Sequence, residues 1–520
     1  MEITQTNSGP SRRSLLVIAA VVAVAYLACV NGKWYPTPDS ALYMGLGRSL
    51  ATGQGYTFNG HADNTVTPGL PLAIAAGRLV QGGEGLAVTN LLITLLGLAG
   101  LAIVWAALRR LTDAWLATAA TVMLAGSTVF FQYSHIILTD VPFITFAYAA
   151  LYACIRFAKG SWLWLAAAAV LTAIALTIRA PGALFMGLVA VAVAIGPVVG
   201  LPTRRRIIAA AVLLAATLAT VGVWYLWGRS VGRVPYQESA AANLGQFGSS
   251  LSVRVLAAGR SLAEAMSRFM IGTTDLPWLG AIGWAVTIFG LGVLWRRGLR
   301  LGLLVVVPYT IIIVAIIRQE FDERYLLPVL PLILLGLAQG VLAIVQHGAK
   351  RHGKTLSPRA VVITLAVLAV AVVLSNTAVD TRKFAYETAC LARTGEYYQK
   401  VQRGKVKEQL EAAHAFKALP PATTLAAERA QGRILYYFSG RTFVELPKGL
   451  KWRTAQDADA LAKFLGEHPE IDMMALPLGK SKDAGYEKRL AELFPAQRTV
   501  YSGKSLTIYS RHKATTAPGK

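Results

Sequence analysis

Apolar residues run in long charge-free blocks along most of the chain: Ser14 to Val30, Leu86 to Leu108, Ala114 to Gln132, Val141 to Ile155, Trp162 to Ile178, Gly182 to Val199, Ile207 to Trp227, Pro277 to Trp295, Leu301 to Ile317, Leu326 to Val345 and Ala360 to Leu374. The longer ones match the roughly 20 residues a helix needs to cross a hydrocarbon core of about 30 Å. Lipid offers no partner for an unpaired backbone group, so such blocks span as helices. The pattern predicts about eleven transmembrane helices. One further segment, Thr67 to Val80, is apolar but short and carries Pro68, Pro71, two glycines and Arg78. Whether it crosses fixes the side of everything after it.

Basic residues decide that question, because they collect near the cytoplasmic ends of spans. If Thr67 to Val80 does not cross, Arg109-Arg110, Arg156 with Lys159, Arg204-Arg205-Arg206, Arg296-Arg297 with Arg300, and Lys350-Arg351 with Lys354 all join Arg12-Arg13 on one side. The segment therefore reads as a helix lying in or dipping into the outer interface. Four stretches then face outward: Asn31 to Gly85, the turn Ser134 to Asp140, Gly228 to Asp275, and everything after about Asn376. Arg12-Arg13 ahead of Ser14 to Val30 also resemble a signal peptide, but an uncleaved first span is the better reading.

Composition agrees with a polytopic α-helical membrane protein. AVILMFWYC make up 55% of the 520 residues and charged residues 15%, with a mean hydropathy of +0.49. The net charge of +24 sits in short loops and the tail rather than on one periodic face, so nucleic acid is not an expected partner. Cys29, Cys154 and Cys390 lie far apart and suggest neither a disulfide framework nor a metal knuckle. The spans hold no Asp, Glu, Lys or Arg in their interiors, whereas an ion-coupled carrier needs ionisable groups there.

The chain divides into residues 1–375, a transmembrane domain with outer loops 31–85 and 228–275, and residues 376–520, an extracytoplasmic α/β domain. In the latter, apolar runs at Thr424 to Leu425, Ile434 to Phe438, Thr442 to Leu446, Ile471 to Leu478 and Ser505 to Tyr509 read as strands. Helical patterns such as Ala455 to Leu465 and Tyr486 to Leu493 separate them.

Two acids stand out. Asp39 follows Pro36-Thr37-Pro38 in the first outer loop, where it suits the N-cap of a short helix. Asp140 precedes Val141-Pro142, another helix start. Capping alone accounts for each, but the topology brings both to the same outer face, where a lipid head group lies.

Asp39 and Tyr43, Gly53-x-Gly55, Thr67-Pro68-Gly69-x-Pro71-Leu72, Asp140, Leu176-Thr177-x-Arg179 with Pro181-Gly182, and Arg324-Tyr325-Leu326-Leu327-Pro328 follow one another in this order. Together they resemble the GT-C glycosyltransferases, in particular the bacterial relatives of dolichyl-phosphate-mannose protein mannosyltransferases and of the lipid A aminoarabinose transferase. The resemblance covers most of the chain. It implies a GT-C-like fold in a bacterial inner membrane with the active site outside, a polyprenyl-phosphate-linked sugar as donor, and a glycan, lipid or protein acceptor. It also implies Asp39 as catalytic base, Asp140 shaping the acceptor or metal site, and Arg179, with Arg324 as a lesser candidate, on the donor phosphate. Some members carry Arg or Lys where this chain has Thr65-Val66-Thr67, so phosphate contacts at that point are not carried over.

The chemistry suits so sparse a set. A polyprenyl phosphate is a good leaving group, so one carboxylate that takes a proton from the incoming hydroxyl suffices. Arginine holds two phosphate oxygens while staying charged, although Arg179 at a span end also fits interfacial snorkelling. Tyr43, His61 and His135 are candidate contacts to substrate or to a divalent metal; two histidines without close spacing make a weak metal signature. Trp34, Tyr35, Tyr43 and Tyr56 suit either sugar stacking or an interfacial belt. The competing reading is a multispanning lipid-linked-sugar flippase or permease, in which Asp39 would be dispensable.

Overall fold

The computed structural model describes residues 9–32, 34–157, 161–195, 202–231, 251–316, 322–394, 405–420, 423–447, 455–477, 488, 492–493, 499–502 and 506–510. In chain order the elements are α1 (Arg12–Leu27), α2 (Pro38–Ala51), the hairpin β1 (Thr57–Phe58) and β2 (His61–Ala62), α3 (Gly69–Gln81), α4 (Leu86–Leu111), α5 (Ala114–Gly126), α6 (Thr128–Tyr133), α7 (Asp140–Phe157), α8 (Leu163–Ile178), α9 (Ala183–Ile195), α10 (Thr203–Ser230), α11 (Leu251–Ile271), α12 (Pro277–Arg296) and α13 (Leu301–Ile316). A 3-10 turn (Glu323–Val329) leads into α14 (Leu330–Arg351) and α15 (Pro358–Thr394). Then come α16 (Lys405–Lys417), β3 (Leu425–Ala427), α17 (Arg429–Ser439), β4 (Phe443–Glu445), α18 (Ala455–Glu467), β5 (Met473–Pro477), β6 (Thr499–Ser502) and β7 (Leu506–Ser510). The chain folds into two compact units. One holds Met1–Gly32, Asp63–Leu70 and Leu86–Ala385; the other holds Lys33–Ala62, Pro71–Gly85 and Tyr386–Lys520. The sequence reading kept 31–85 with the spans, whereas most of that loop packs with the tail.

The first unit is a helical bundle. Among the described residues, six helices are long and apolar enough to cross a membrane, and four shorter apolar helices accompany them. Large apolar side chains such as Leu95, Val170, Leu218, Ile282, Val367 and Leu374 are exposed on these helices. In water such a surface would be a liability; here it is the face a bilayer covers. Where no hydrophobic force drives helices together, close backbone approach through small residues does so. α12 packs along α14, and a Cβ built on Gly290 would stand 1.9 Å from the carbonyl oxygen of Gly336, one on Gly340 2.2 Å from that of Val286.

The predicted span Ala114 to Gln132 is two helices, not one. At Ser127 the backbone turns extended (ψ 124°), and buried Asn376 on α15 bridges the break: its Oδ1 accepts from the Thr128 N–H at 2.9 Å and its Nδ2 donates to the carbonyl of Met270 at 3.0 Å. α3 has 13 residues, and at 1.5 Å per residue it rises about 20 Å, too little to cross a hydrocarbon core.

The second unit carries a five-stranded mixed sheet of order β4-β3-β5-β7-β6. β3 runs parallel to β4 and β5, which α17 and α18 reach by crossovers, and β7 runs antiparallel to β5 and β6. Leu461, Phe464, Ile471 and Met474 fill the layer between α18 and the sheet. Ile434 to Phe438, expected as a strand, belongs to helix α17. Its apolar residues occupy two faces because α17 is packed against β3 and β4 as well as against α16 and α2. The expected helix Tyr486 to Leu493 lies mostly outside the described residues, as do residues 232–250 of the second outer loop.

Candidate functional site

In the second unit, α2 starts with a capping box. Thr37 Oγ1 accepts from the Ser40 N–H at 3.0 Å, and Ser40 Oγ accepts from the Thr37 N–H at 2.8 Å. Thr37 is therefore the N-cap, not Asp39 as the Pro-x-Pro context suggested. The capping role is filled by a neighbour, and the Asp39 carboxylate, 36% exposed, is used elsewhere: it accepts from Arg433 Nη1 at 3.0 Å. Arg433 sits on α17 and is only 11% exposed. Beside this pair Trp34 is buried, donating to Ser40 Oγ at 3.0 Å and stacking on Phe438 at 5.3 Å. Its ring serves packing rather than a sugar.

One turn of α17 further on, a polar latch ties three stretches of chain together. Glu84 accepts from Arg48 Nη2 at 3.2 Å, from Arg78 Nη1 at 2.5 Å and from the Tyr437 hydroxyl. Arg48 also donates to the Tyr437 carbonyl at 3.1 Å and lies over its ring at 4.2 Å. Burial on its own would raise the Glu84 carboxyl, but the Tyr437 hydrogen bond and the charges of Arg48 and Arg78 outweigh it and hold the group below its ordinary value. Burial, then the Glu84 charge, pushes the Tyr437 hydroxyl up. Just before the latch, Gly53 and Gly55, both at φ +75°, turn the chain out of α2 through the left-handed region. That is the physical content of the Gly-x-Gly motif.

In the first unit, Asp140 opens α7 and its side chain is 1% exposed; Arg179, which ends α8, stands 3.0 Å away through Nη1 and is 14% exposed. The same Nη1 donates to Thr139 Oγ1 at 3.0 Å. The sequence thus named both members of one ion pair while assigning them separate tasks. Nearby in the fold, Arg324 Nε lies 3.3 Å from Asp322, whose carboxylate also caps the 3-10 turn by accepting from the Arg324 N–H at 3.0 Å. Glu323 pairs with Arg268. Burial first, then the charges of Asp322, Asp140 and Glu323, raise the Tyr133 hydroxyl above its ordinary range.

The remaining candidates separate. Tyr43 is buried one turn after Asp39 on α2, and His61 is exposed on β2. His135 turns Nδ1 to the Phe131 carbonyl at 2.8 Å and Nε2 to the Tyr26 carbonyl at 2.9 Å, and its ring lies 4.6 Å from that of Phe131. These two carbonyl contacts fasten α6 to α1. Among the described residues no group of three or more His, Cys, Asp or Glu could hold an ion, and both candidate acids already face arginines. Among the described residues these side chains do not make up a metal centre, and no step is routed through one. Sequence reasoning missed Arg433, Glu84, Arg48 and Tyr437, since nothing local marks a residue 394 positions from its partner.

Comparison with known proteins locates this architecture. Residues 65–227 match the family model described as dolichyl-phosphate-mannose-protein mannosyltransferase. Among solved structures, ArnT from Cupriavidus metallidurans bound to undecaprenyl phosphate aligns over 98% of this chain and 100% of its own, with a TM-score of 0.56 at 13% identity. The archaeal oligosaccharyltransferase AglB from Archaeoglobus fulgidus, in complex with an inhibitory peptide and a dolichol-phosphate, aligns over 89% of this chain and 69% of its own, with a TM-score of 0.56 at 11% identity. No curated protein sequence matches. The chain shares the fold of these two proteins, and its long apolar helices make it a multi-pass membrane protein.

Proposed function

We propose that the chain is a membrane glycosyltransferase that moves a monosaccharide from a polyprenyl-phosphate donor to a hydroxyl of a glycan, lipid or protein on the extracytoplasmic side of the bacterial inner membrane. The observation that carries this reading is Asp39: a carboxylate at the head of α2, partly exposed, with the capping task assumed by Thr37. The match to the mannosyltransferase family model and the fold shared with lipid-phosphate-binding proteins support it.

Asp39 accepts the proton of the acceptor hydroxyl as that oxygen attacks the anomeric carbon. The bond from this carbon to the phosphate oxygen breaks, its electron pair leaves with polyprenyl phosphate, and a single displacement inverts the centre. Arg179 and Arg324 stabilise the charge gathering on the departing phosphate. Asp140 holds the Arg179 guanidinium in place and shapes the acceptor side. Lipid analysis of a strain lacking the protein tests this reading. A polyprenyl-phosphate sugar accumulates and one envelope glycan loses a residue; an unchanged lipid pool with an unchanged glycan contradicts it.

A further inference from the structure

The C-terminal tail reaches the candidate base through Arg433. α17 lies against α2, and Arg433, almost buried, meets Asp39 at 3.0 Å. One helical turn on, Tyr437 is locked to Glu84 and Arg48, and Arg78 pairs with the same Glu84, while Trp34 and Phe438 stack beneath. A glycine at 432 makes this seat possible, because a Cβ there would stand 2.2 Å from the Phe443 ring of β4. A helix so constrained on sheet, latch and aromatic stack presents Arg433 at one fixed place.

We propose that Arg433 is a positioning residue for the base, and that the tail domain serves the reaction by delivering it. The inference rests on Asp39 being the base. A carboxylate must be ionised and correctly aimed to accept a proton, and a loss of aim of even 1 Å costs about 100-fold in rate. A guanidinium in contact with it favours the ionised form and restricts the orientation of the carboxylate. Other titratable groups on the surrounding elements are engaged elsewhere or distant in kind. Arg429 lies 3.5 Å from Glu445, Arg48, Arg78 and Glu84 surround Tyr437, Tyr43 is buried further along α2, Tyr436 meets Phe58, and His61 is exposed on the hairpin.

The test uses the full-length protein in detergent, with the lipid extract and envelope fraction of the deletion strain as probe, since these supply the accumulated donor and the unmodified acceptor. Arg433→Ala lowers the transfer rate at least tenfold and moves the acid limb of the pH–rate profile to higher pH, while Arg433→Lys restores much of both. Arg433→Gln, which keeps polarity and most of the volume, carries the same expectation should the alanine variant fail to accumulate. Folded Ala or Gln variants with an unmoved acid limb and an unchanged rate overturn the proposal. If Asp39→Asn retains full transfer, it is the base assignment that falls; if Asp39→Asn is inactive and the Arg433 variants behave as the parent, only the positioning role falls.

Discussion

Asp140 and Arg179 form a nearly dry ion pair, Oδ1 to Nη1 at 3.0 Å, at the point where α7 begins and α8 ends. Taking two charges out of water is costly, and removing one partner strands the other. Asp140→Ala and Arg179→Ala each lower stability by about 3–5 kcal/mol. The double variant loses less than the sum, because neither charge is then left alone. Thermal unfolding in detergent of the three variants measures the coupling; additive losses would mean that the two side chains act independently.

Close backbone contact between α12 and α14 leaves no room for a side chain at Gly340, where an added Cβ meets the Val286 carbonyl. The obstacle is main chain, which cannot swing aside. Gly340→Leu lowers stability by roughly 3 kcal/mol or more, visible as loss of folded protein after detergent extraction, while a substitution at Gly292, with open space around it, is tolerated.

The Glu84 latch gives the second unit a defined acid sensitivity. The folded carboxyl ionises below its ordinary value, so the stabilisation it brings is complete above the ordinary carboxylate range and is lost as pH falls through the depressed value. Hydrogen exchange of 429–439 accelerates over that window. In Glu84→Gln the exchange is faster throughout and no longer changes there; an unaltered pH response in this variant would place the sensitivity elsewhere.

Sidedness has its own check. A topology reporter inserted within Gln81 to Gly85 reports an extracytoplasmic position, because α3 is too short to cross and the basic loops then share one side. A cytoplasmic signal reverses every assignment after α3.

The parts of the molecule that hydropathy governs were legible in the sequence: the long blocks became the long helices, and the break at Ser127 escaped because it depends on Asn376, 248 positions away. Gly53-x-Gly55 and Thr67-Pro68-Gly69 were recognisable as motifs, and the structure supplies their reasons. Left-handed turns account for the first; for the second, Gly69 approaches the Thr177 carbonyl so closely that a Cβ would stand 2.8 Å from it. Asp39, Asp140 and Arg179 were all named, yet their partnerships were not. Local context pointed to Asp39 as a cap, and only the fold brings Thr37 to that task and Arg433 to the carboxylate. Ile434 to Phe438 misled for a different reason: a short apolar run reads equally as a buried strand or as part of a helix, and the helical period shows only over the whole of Arg429–Ser439.

The claim on which the rest depends is that Asp39 takes the proton of the acceptor. Complementing the deletion strain with Asp39→Asn, at normal abundance and with an unaltered fold, and quantifying polyprenyl-phosphate-linked sugar in its membranes tests this most directly. The account predicts that the lipid-linked sugar builds up as it does with no protein at all; a lipid pool and envelope glycan indistinguishable from those of the parent strain would contradict it.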